Sequence, residues 1–467
     1  MTTSAPTHVP AVVIGAGVSG LTCAYTLRQR GIDAHLFESA DRAGGVIRSV
    51  SRGGFLFELG PQSFTLTDYL RQLTRELRLE AQLQLAPAKL PRYLLEDGEL
   101  AAAPLDPPAF FFSPLFGVRT KFNVIRDAIG RTNPPPETAA GDESIAHFTR
   151  RKFGNELLEK LVGPFVSGIY AGNPEKLSLR SAFPSLYAAE TAHGSVIRGL
   201  LRARRSASGS PTLATFQHGN QTFTDALAAA LGSAFHLNVA ATRILTSPSW
   251  APGQFIVEFR EQPMSAAPLY SVHADHVILA SPAGVSAKLL EPLDPSLASL
   301  LTSIEYVPVS IVSLGYHRTA VQHSLHAFGF LAARNSGLRV LGSVWNSSLF
   351  PERAPADSVL LTSFVGGSGD LSAVKLTPKE LETVVHRELA RILGITEAPI
   401  ISNVHIWPQA IPQYDLQHHR RTQVLGQKIA AFPGLALAGN YLDGPAIGAV
   451  VDRARKLADY VLDGPPR

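Results

Sequence analysis

Val9-Pro10-Ala11-Val12-Val13-Ile14-Gly15-Ala16-Gly17-Val18-Ser19-Gly20 decides the fold: an apolar run opens directly into three glycines and then into a helical pattern. A strand, a glycine turn and a helix in that order set a dinucleotide's phosphates on a helix N-terminus, where free N–H groups and the helix dipole favour anions. Gly15 permits the tight turn, Gly17 lets the backbone approach a pyrophosphate, and Gly20 lets the helix pack close to the strand. Ala16, Val18 and Ser19 complete that loop. The helix reads from Leu21 to Arg30 and stops at Gly31. A second strand, Asp33 to Phe37, delivers Glu38, 18 residues after Gly20 and close to the spacing at which an acid meets the ribose hydroxyls. An acid there repels a ribose phosphate and argues against NADP.

Beyond Glu38, the run Ser39-Ala40-Asp41-Arg42-Ala43-Gly44-Gly45-Val46-Ile47-Arg48 supplies an arginine and two unhindered backbone amides for a second phosphate contact. The extended N-terminus resembles that of the amine-oxidase-like flavoproteins, which implies FAD rather than NAD.

The remaining composition sets bounds. A chain of 467 residues exceeds one compact core, so two or three domains are expected. With 45% apolar and 17% charged residues it has ample core. No apolar run is long enough to span a bilayer, and Met1 to His8 lacks the pattern of a signal peptide. Cys23 is the single cysteine; it reads as a packing residue and fits a reducing cytoplasm. The formal charge of +4 is spread along the chain, with its densest patch at Arg198, Arg202, Arg204 and Arg205. That run reads as a solvated helix face or a contact for anionic lipid, and no aromatic-interleaved basic module for nucleic acid accompanies it. Neither metal-ligand spacing among the 15 histidines nor a Gly-x-Ser-x-Gly elbow is present, so metalloenzyme and hydrolase readings drop out.

Strand-like runs recur at Phe235 to Leu245, Gln254 to Phe259, Asp275 to Ala280 and Gly434 to Asn440; Gly219-Asn220-Gln221-Thr222-Phe223 opens a helix. The loop Asp443-Gly444-Pro445-Ala446-Ile447-Gly448 leads into a final helix reaching about Leu462. Between these pieces, Tyr93 to Leu213 is mostly helical, interrupted by Arg131 to Pro136 and Ser206 to Ser210. Leu290 to Gln409 alternates β-rich runs such as Val307 to Tyr316 with a helix near Pro378 to Leu393.

Three further motifs narrow the family. Val166-Ser167-Gly168-Ile169-Tyr170-Ala171-Gly172-Asn173-Pro174-Glu175, Phe57-Glu58-Leu59-Gly60-Pro61-Gln62-Ser63-Phe64 and Trp407-Pro408-Gln409-Ala410-Ile411-Pro412-Gln413-Tyr414 resemble the protoporphyrinogen oxidases, in the right order and over nearly the whole chain. The resemblance implies an α/β fold: a discontinuous Rossmann-like FAD-binding domain (1–60, 214–289 and 410–467), a β-rich substrate domain (61–92 and 290–409) and a helical insertion (93–213). It implies an oxygen-dependent oxidase taking six electrons from protoporphyrinogen IX. Coproporphyrinogen III and a non-catalytic flavin-binding protein stay open as alternatives.

By motif position, Arg92 resembles the arginine that pairs with a substrate propionate, and Gly168 the glycine whose carbonyl lies near the reacting edge. Phe328, Gly329, Phe330, Leu331, Val344 and Phe364 fall at pocket-wall positions, where a plain core role is the alternative. Cofactor contacts are implied at Gly60, Pro61, Gln62, Ser63, Thr242, Trp407, Pro445, Ala446, Ile447 and Gly448, beside Glu38, Ser39, Arg42 and Gly45. Two departures stand out: Gly448-Ala449-Val450 replaces the Asn-Asp-Cys of many relatives, and Ser167 stands where some carry arginine. The aromatic stretch Pro104 to Val118, with Arg119 and Lys121 beside it, reads either as an interior loop or as a peripheral contact with the inner face of the cell membrane. Oligomeric state is open, a homodimer included.

Overall fold

The computed structural model describes residues 8–104, 106–130, 142–206, 212–246, 255–261 and 268–463. Its first sheet has seven strands, in spatial order Phe235–His236, Ala34–Phe37, His8–Ile14, Leu269–Leu279, Phe255–Glu261 and Val239–Thr246, with Leu435–Leu437 pairing alongside Leu269–Leu279. His8–Ile14 is flanked on both sides by parallel partners. Helices cover both faces, and a strand buried in this way reads as a continuous apolar run rather than an alternating one. Val12 and Val13 are wholly buried on opposite faces, in two different cores. The first helix, Val18–Gln29, packs with the C-terminal helix, Ile447–Asp463, through Leu21, Ala24, Val451 and Ala454.

The expected strand from Phe235 to Leu245 is two strands. Asn238 takes a left-handed backbone (φ +58°) between them, as asparagine tolerates better than most residues. The first piece runs parallel to Ala34–Phe37, whereas the second turns into an antiparallel ribbon with Phe255–Glu261. Gln254, the proline-rich 131–136 stretch, Ala207 to Ser210 and Leu105 lie outside the described residues.

A second seven-stranded sheet has the order Ile401–Pro412, Tyr306–His317, Ser358–Gly366, Val340–Trp345, Gly329–Ala332, Tyr93–Glu96, Glu99–Ala102. Tyr93–Ala102 thus belongs to this sheet rather than to the helical insertion, because Tyr93, Leu94 and Leu95 pair in parallel with Phe330, Leu331 and Ala332. Residues 64–85, expected with the substrate domain, instead pack Phe64, Leu70 and Leu73 into the core around the first helix. One face of the second sheet buries Val312, Phe330 and Val340 against Leu381, Val385 and Leu389 of helix Pro378–Leu393, which a Thr377–Glu380 capping box starts. Its other face is left for the site.

The helical insertion includes Pro107–Phe112, Val118–Ala128, Ile145–Lys152, Gly163–Tyr170 and Val196–Ser206. A buried ion pair joins the strand Phe55–Glu58 to the short helix Pro351–Arg353: Arg353 Nη1 donates to Glu58 Oε1 at 2.9 Å, both side chains almost fully buried. Glu58 also accepts from Asn220 N (2.9 Å) and Ser49 Oγ (2.7 Å), and Arg353 Nη2 donates to Thr215 Oγ1. A charge pair out of water persists only when its remaining hydrogen-bonding capacity is met in this way.

Candidate active site

The three glycines of the opening motif sit in three different surroundings. Gly15 has φ +102°, and a Cβ there would lie 3.0 Å from the Ala280 backbone. At Gly20 a Cβ would lie 2.0 Å from Gly15 O, so the helix meets the turn as closely as only glycine allows. Gly17 differs: a Cβ there meets nothing within 4 Å, although Gly17 caps the first helix. The open space is therefore at the helix N-terminus, where a pyrophosphate belongs. Gly44 N donates to Ala16 O at 2.8 Å, and a Cβ on Gly45 would sit 3.2 Å from Gly17 Cα, so the second glycine pair closes on the first.

Glu38 brings its carboxylate to the same loop, with Oε2 accepting from Ala16 N (2.7 Å) and Oε1 from Ala40 N (2.9 Å) and Ser39 Oγ (3.2 Å). Val239 N donates to Glu38 O at 2.8 Å and Asn238 N to Ala40 O at 3.0 Å, so the main chain just past the Asn238 turn borders the ribose side. Motif reading missed those two residues; a turn-prone asparagine inside an apolar run was the available signal. Thr242 lies three residues further along, roughly 10 Å by strand rise, its Oγ1 donating to Glu258 O at 3.2 Å across a bulge. Arg42 spends its guanidinium on its own loop, donating to Ala43 O (2.8 Å), Ile47 O (3.2 Å) and Gly45 O (2.5 Å). These bonds hold the second glycine pair in place.

The Gly60–Ser63 turn is knitted rather than open. A Cβ on Gly60 would overlap Val46 O at 2.0 Å, and Gln62 donates to Glu58 O (3.0 Å) and Gly60 O (2.9 Å) while accepting from Asn346 Nδ2 (2.8 Å). Pro61 O accepts from Asn220 Nδ2 at 2.8 Å, and Ser63 follows half-buried. Trp407 ties the second sheet to this turn through Nε1 to Leu59 O (2.6 Å), with His405 edge-on to its ring at 4.4 Å. Burial lowers the His405 pKa, and the charges of Arg48 and Arg42 lower it further.

At the C-terminal loop, Gly444 (φ +112°) and Pro445 precede the final helix, Ala446 is exposed and Ile447 is buried. Gly448 packs against Thr65 and Thr67, where a Cβ would come within 2.7 Å of both. Tyr414 fastens this loop: its hydroxyl donates to Asn440 O and accepts from Gly444 N (2.6 Å), and its ring stacks flat on His418 with centroids 4.2 Å apart. Burial, with Arg421 nearby, pushes His418 down to about 4.

Cross-strand register explains the wall. Leu331 pairs with Gly342, Gly342 with Phe364, Phe364 with Ile311, and Ile311 with His405, so their side chains share one face. Gly329 and Val344 form the next row on that face. Phe330 projects to the opposite face, into the core under helix Pro378–Leu393. Gly168, in helix Gly163–Tyr170, lies against the wall so closely that a Cβ would be 2.5 Å from Leu331 Cδ2. Arg92 stands at the end of this row, its guanidinium carbon 4.7 Å from the centre of the Phe328 ring. Arg92 is exposed, partial desolvation of its head lowers its pKa, and among the described residues no ion pair engages it. Arg92, Phe328, Gly329, Leu331, Val344, Phe364 and Gly168 are thus brought together.

A sheet with a parallel centre, an open glycine loop at a helix N-terminus and an acid on the ribose side define a dinucleotide-binding protein. The family model for flavin containing amine oxidoreductase matches residues 18–462, and the chain belongs to that family. It is a FAD-dependent oxidoreductase, and the open space at Gly17, bordered by Glu38 and Gly45, fits the cofactor. The chain is 33% identical to the chloroplastic protoporphyrinogen oxidase of Nicotiana tabacum, over 96% of this chain and 85% of that protein. To the coproporphyrinogen III oxidase of Bacillus subtilis it is 29% identical, over 97% of each. A crystal structure from Exiguobacterium sp. 255-15 superposes with TM-score 0.80 at 22% identity, covering 98% of this chain and 99% of that one. UDP-galactopyranose mutase shares the fold at TM-score 0.72 and 14% identity, with 98% and 96% covered.

Proposed function

We propose that the protein oxidises protoporphyrinogen IX to protoporphyrin IX in porphyrin and heme biosynthesis, in three two-electron steps with oxygen as acceptor. One observation carries this reading: Arg92, a cation without an ion-pair partner among the described residues, lies on Phe328 at the end of an apolar wall. Such a site suits a puckered, largely apolar tetrapyrrole with a carboxylate at its edge. The names of the tobacco and Bacillus relatives support the same substrate class.

FAD, when bound, supplies the hydride acceptor and returns each electron pair to dioxygen, which leaves as hydrogen peroxide. The chain's own work is positional. Arg92 orients a propionate, its planar fork matching a carboxylate. Leu331, Val344 and Phe364 cover the ring and exclude water, while Gly168 lets its helix close on Leu331. Backbone N–H groups at Ala446 to Gly448 face outward from the final helix, where they stabilise negative charge gained on reduction.

Peripheral membrane contact belongs to this proposal. In Pro107–Phe112 and Val118–Ala128, Phe112 is 89% exposed, Val118 83% and Phe122 60%, whereas Phe110 and Phe116 stack inward at 4.9 Å. Among the described residues no helix is long and apolar enough to cross a membrane. An exposed apolar patch of this kind suits a lipid surface from which a poorly soluble porphyrinogen enters. The activity is tested by adding protoporphyrinogen IX to aerobic holoenzyme and following porphyrin fluorescence. Formation above the spontaneous rate, saturable in substrate, is expected; a rate equal to the enzyme-free control overturns the reading.

A further inference from the structure

Beyond the Leu331–Gly168 contact the second sheet ends in a cavity of 430 Å³, lined in part by Ser167, Gly172, Arg334, Arg339, Gly366 and Asp370. We propose that this cavity is a second carboxylate subsite, with Arg334 as its cation, taking a propionate on the macrocycle edge remote from Arg92. The inference rests on the porphyrinogen reading and extends it: beside protoporphyrinogen IX, the site also admits the four-propionate coproporphyrinogen III, whose far propionate this subsite takes.

The two arginines of the cavity differ in charge balance. Arg339 is neutralised by Asp370 through two bonds, Nε to Oδ2 at 2.7 Å and Nη2 to Oδ1 at 2.9 Å. Arg334 donates Nη1 to Gly172 O (3.0 Å) and Ser368 Oγ (3.3 Å), both neutral oxygens. Among the described residues no carboxylate pairs with it, and it stands exposed at the mouth of the cavity. Its guanidinium is thereby oriented by one nitrogen, with the remaining donors of the fork left for a carboxylate.

Placement along the strand supplies the second argument. Phe328, which carries Arg92, precedes strand Gly329–Ala332, and Arg334 follows it. The six residue steps from Phe328 to Arg334 span at most about 20 Å, room for a tetrapyrrole with propionates on opposite edges, with Leu331 and its Gly168 contact between the two cations. Protoporphyrinogen IX has its two propionates on one edge and uses one end only. Coproporphyrinogen III carries a propionate on every ring and engages both. Ser167, small and buried, leaves the intervening space open.

The test compares wild-type and Arg334→Gln holoenzyme; glutamine keeps a donor for Gly172 O but removes the charge. Binding of coproporphyrin III and protoporphyrin IX is titrated through the flavin spectrum, and kcat/KM is measured for both porphyrinogens. The expected result is a fall of about tenfold or more, the range for a lost charged hydrogen bond, in the preference for the four-propionate macrocycle, with flavin content normal. Equal losses for both macrocycles, an unchanged preference, or wild-type protein that binds neither porphyrin overturns the subsite. If the preference for binding falls as expected while neither porphyrinogen is oxidised, the subsite stands and the proposed activity fails.

Discussion

Replacing Gly17 with alanine separates a residue kept for the cofactor from one kept for the fold. Gly17 has φ −68° and ψ 171°, a conformation alanine adopts freely, and its added Cβ meets nothing within 4 Å. Without FAD, Gly17→Ala is therefore neutral or stabilising by about 0.4–1 kcal/mol, because alanine restricts the unfolded chain. With FAD, the methyl group occupies the pyrophosphate's line of approach. Overpacking costs about 1–3 kcal/mol, which weakens binding roughly 5- to 150-fold. Gly20→Ala is the counterpart: its Cβ would lie 2.0 Å from Gly15 O and 3.0 Å from Ala280 Cβ, so the apo fold itself loses about 1–3 kcal/mol or more. Thermal unfolding of both apo variants, with FAD titrations followed by flavin fluorescence, separates the two effects. Wild-type FAD affinity in Gly17→Ala, or an apo midpoint lowered as far as that of Gly20→Ala, refutes the reasoning.

Arg92→Ala is expected to lower kcat/KM by about 1.5–3 kcal/mol of transition-state stabilisation with flavin content normal, and Arg92→Lys to recover part of it; an unchanged kcat/KM makes this arginine structural. Arg353→Met strands Glu58 in the core and should cost about 3–5 kcal/mol in urea unfolding, part of which Glu58→Gln restores in the double variant; a loss below about 1 kcal/mol would show the pair to be dispensable. His418 titrates near 4 in the fold against about 6.5 unfolded, so its neutral form contributes fully above pH 6.5 and stability falls as the pH drops toward 4, by up to about 3 kcal/mol. His418→Phe keeps the stack on Tyr414 and should lose correspondingly less between pH 7.5 and 4.5; equal losses contradict the assignment. Changing Phe112 and Phe122 to serine should abolish flotation with anionic liposomes, and equal flotation, or none by the unmodified protein, removes this patch from consideration.

What was legible in the sequence was local. Gly15, Gly17, Gly20 and Glu38 lie within one strand–helix–strand unit, so their spacing carries their geometry, and the long apolar runs could hardly be anything but buried strands. The helix from Pro378 announced itself through Thr377 and Glu380. Less legible were partnerships across hundreds of residues. Glu58 and Arg353 are 295 positions apart, and nothing in either neighbourhood signals that both are buried. Tyr93–Ala102 resembled the start of a helical region because its strand partners, Phe330 to Ala332, lie far downstream. Arg42 looked like a phosphate ligand, yet its donors hold the carbonyls of the loop that carries it, an arrangement that depends on a turn closed by two left-handed glycines. Arg334 had no motif around it; only the strand register and the unbalanced charge of the cavity bring it into view.

The central claim, that this flavoprotein oxidises a porphyrinogen by two-electron steps through its flavin, is tested most directly by anaerobic titration of the yellow holoenzyme with protoporphyrinogen IX. The account predicts bleaching of the flavin with three equivalents of flavin reduced for each porphyrin formed, and return of the oxidised spectrum when air is admitted. Flavin that stays oxidised under an excess of porphyrinogen, while dithionite still bleaches it, would contradict the account.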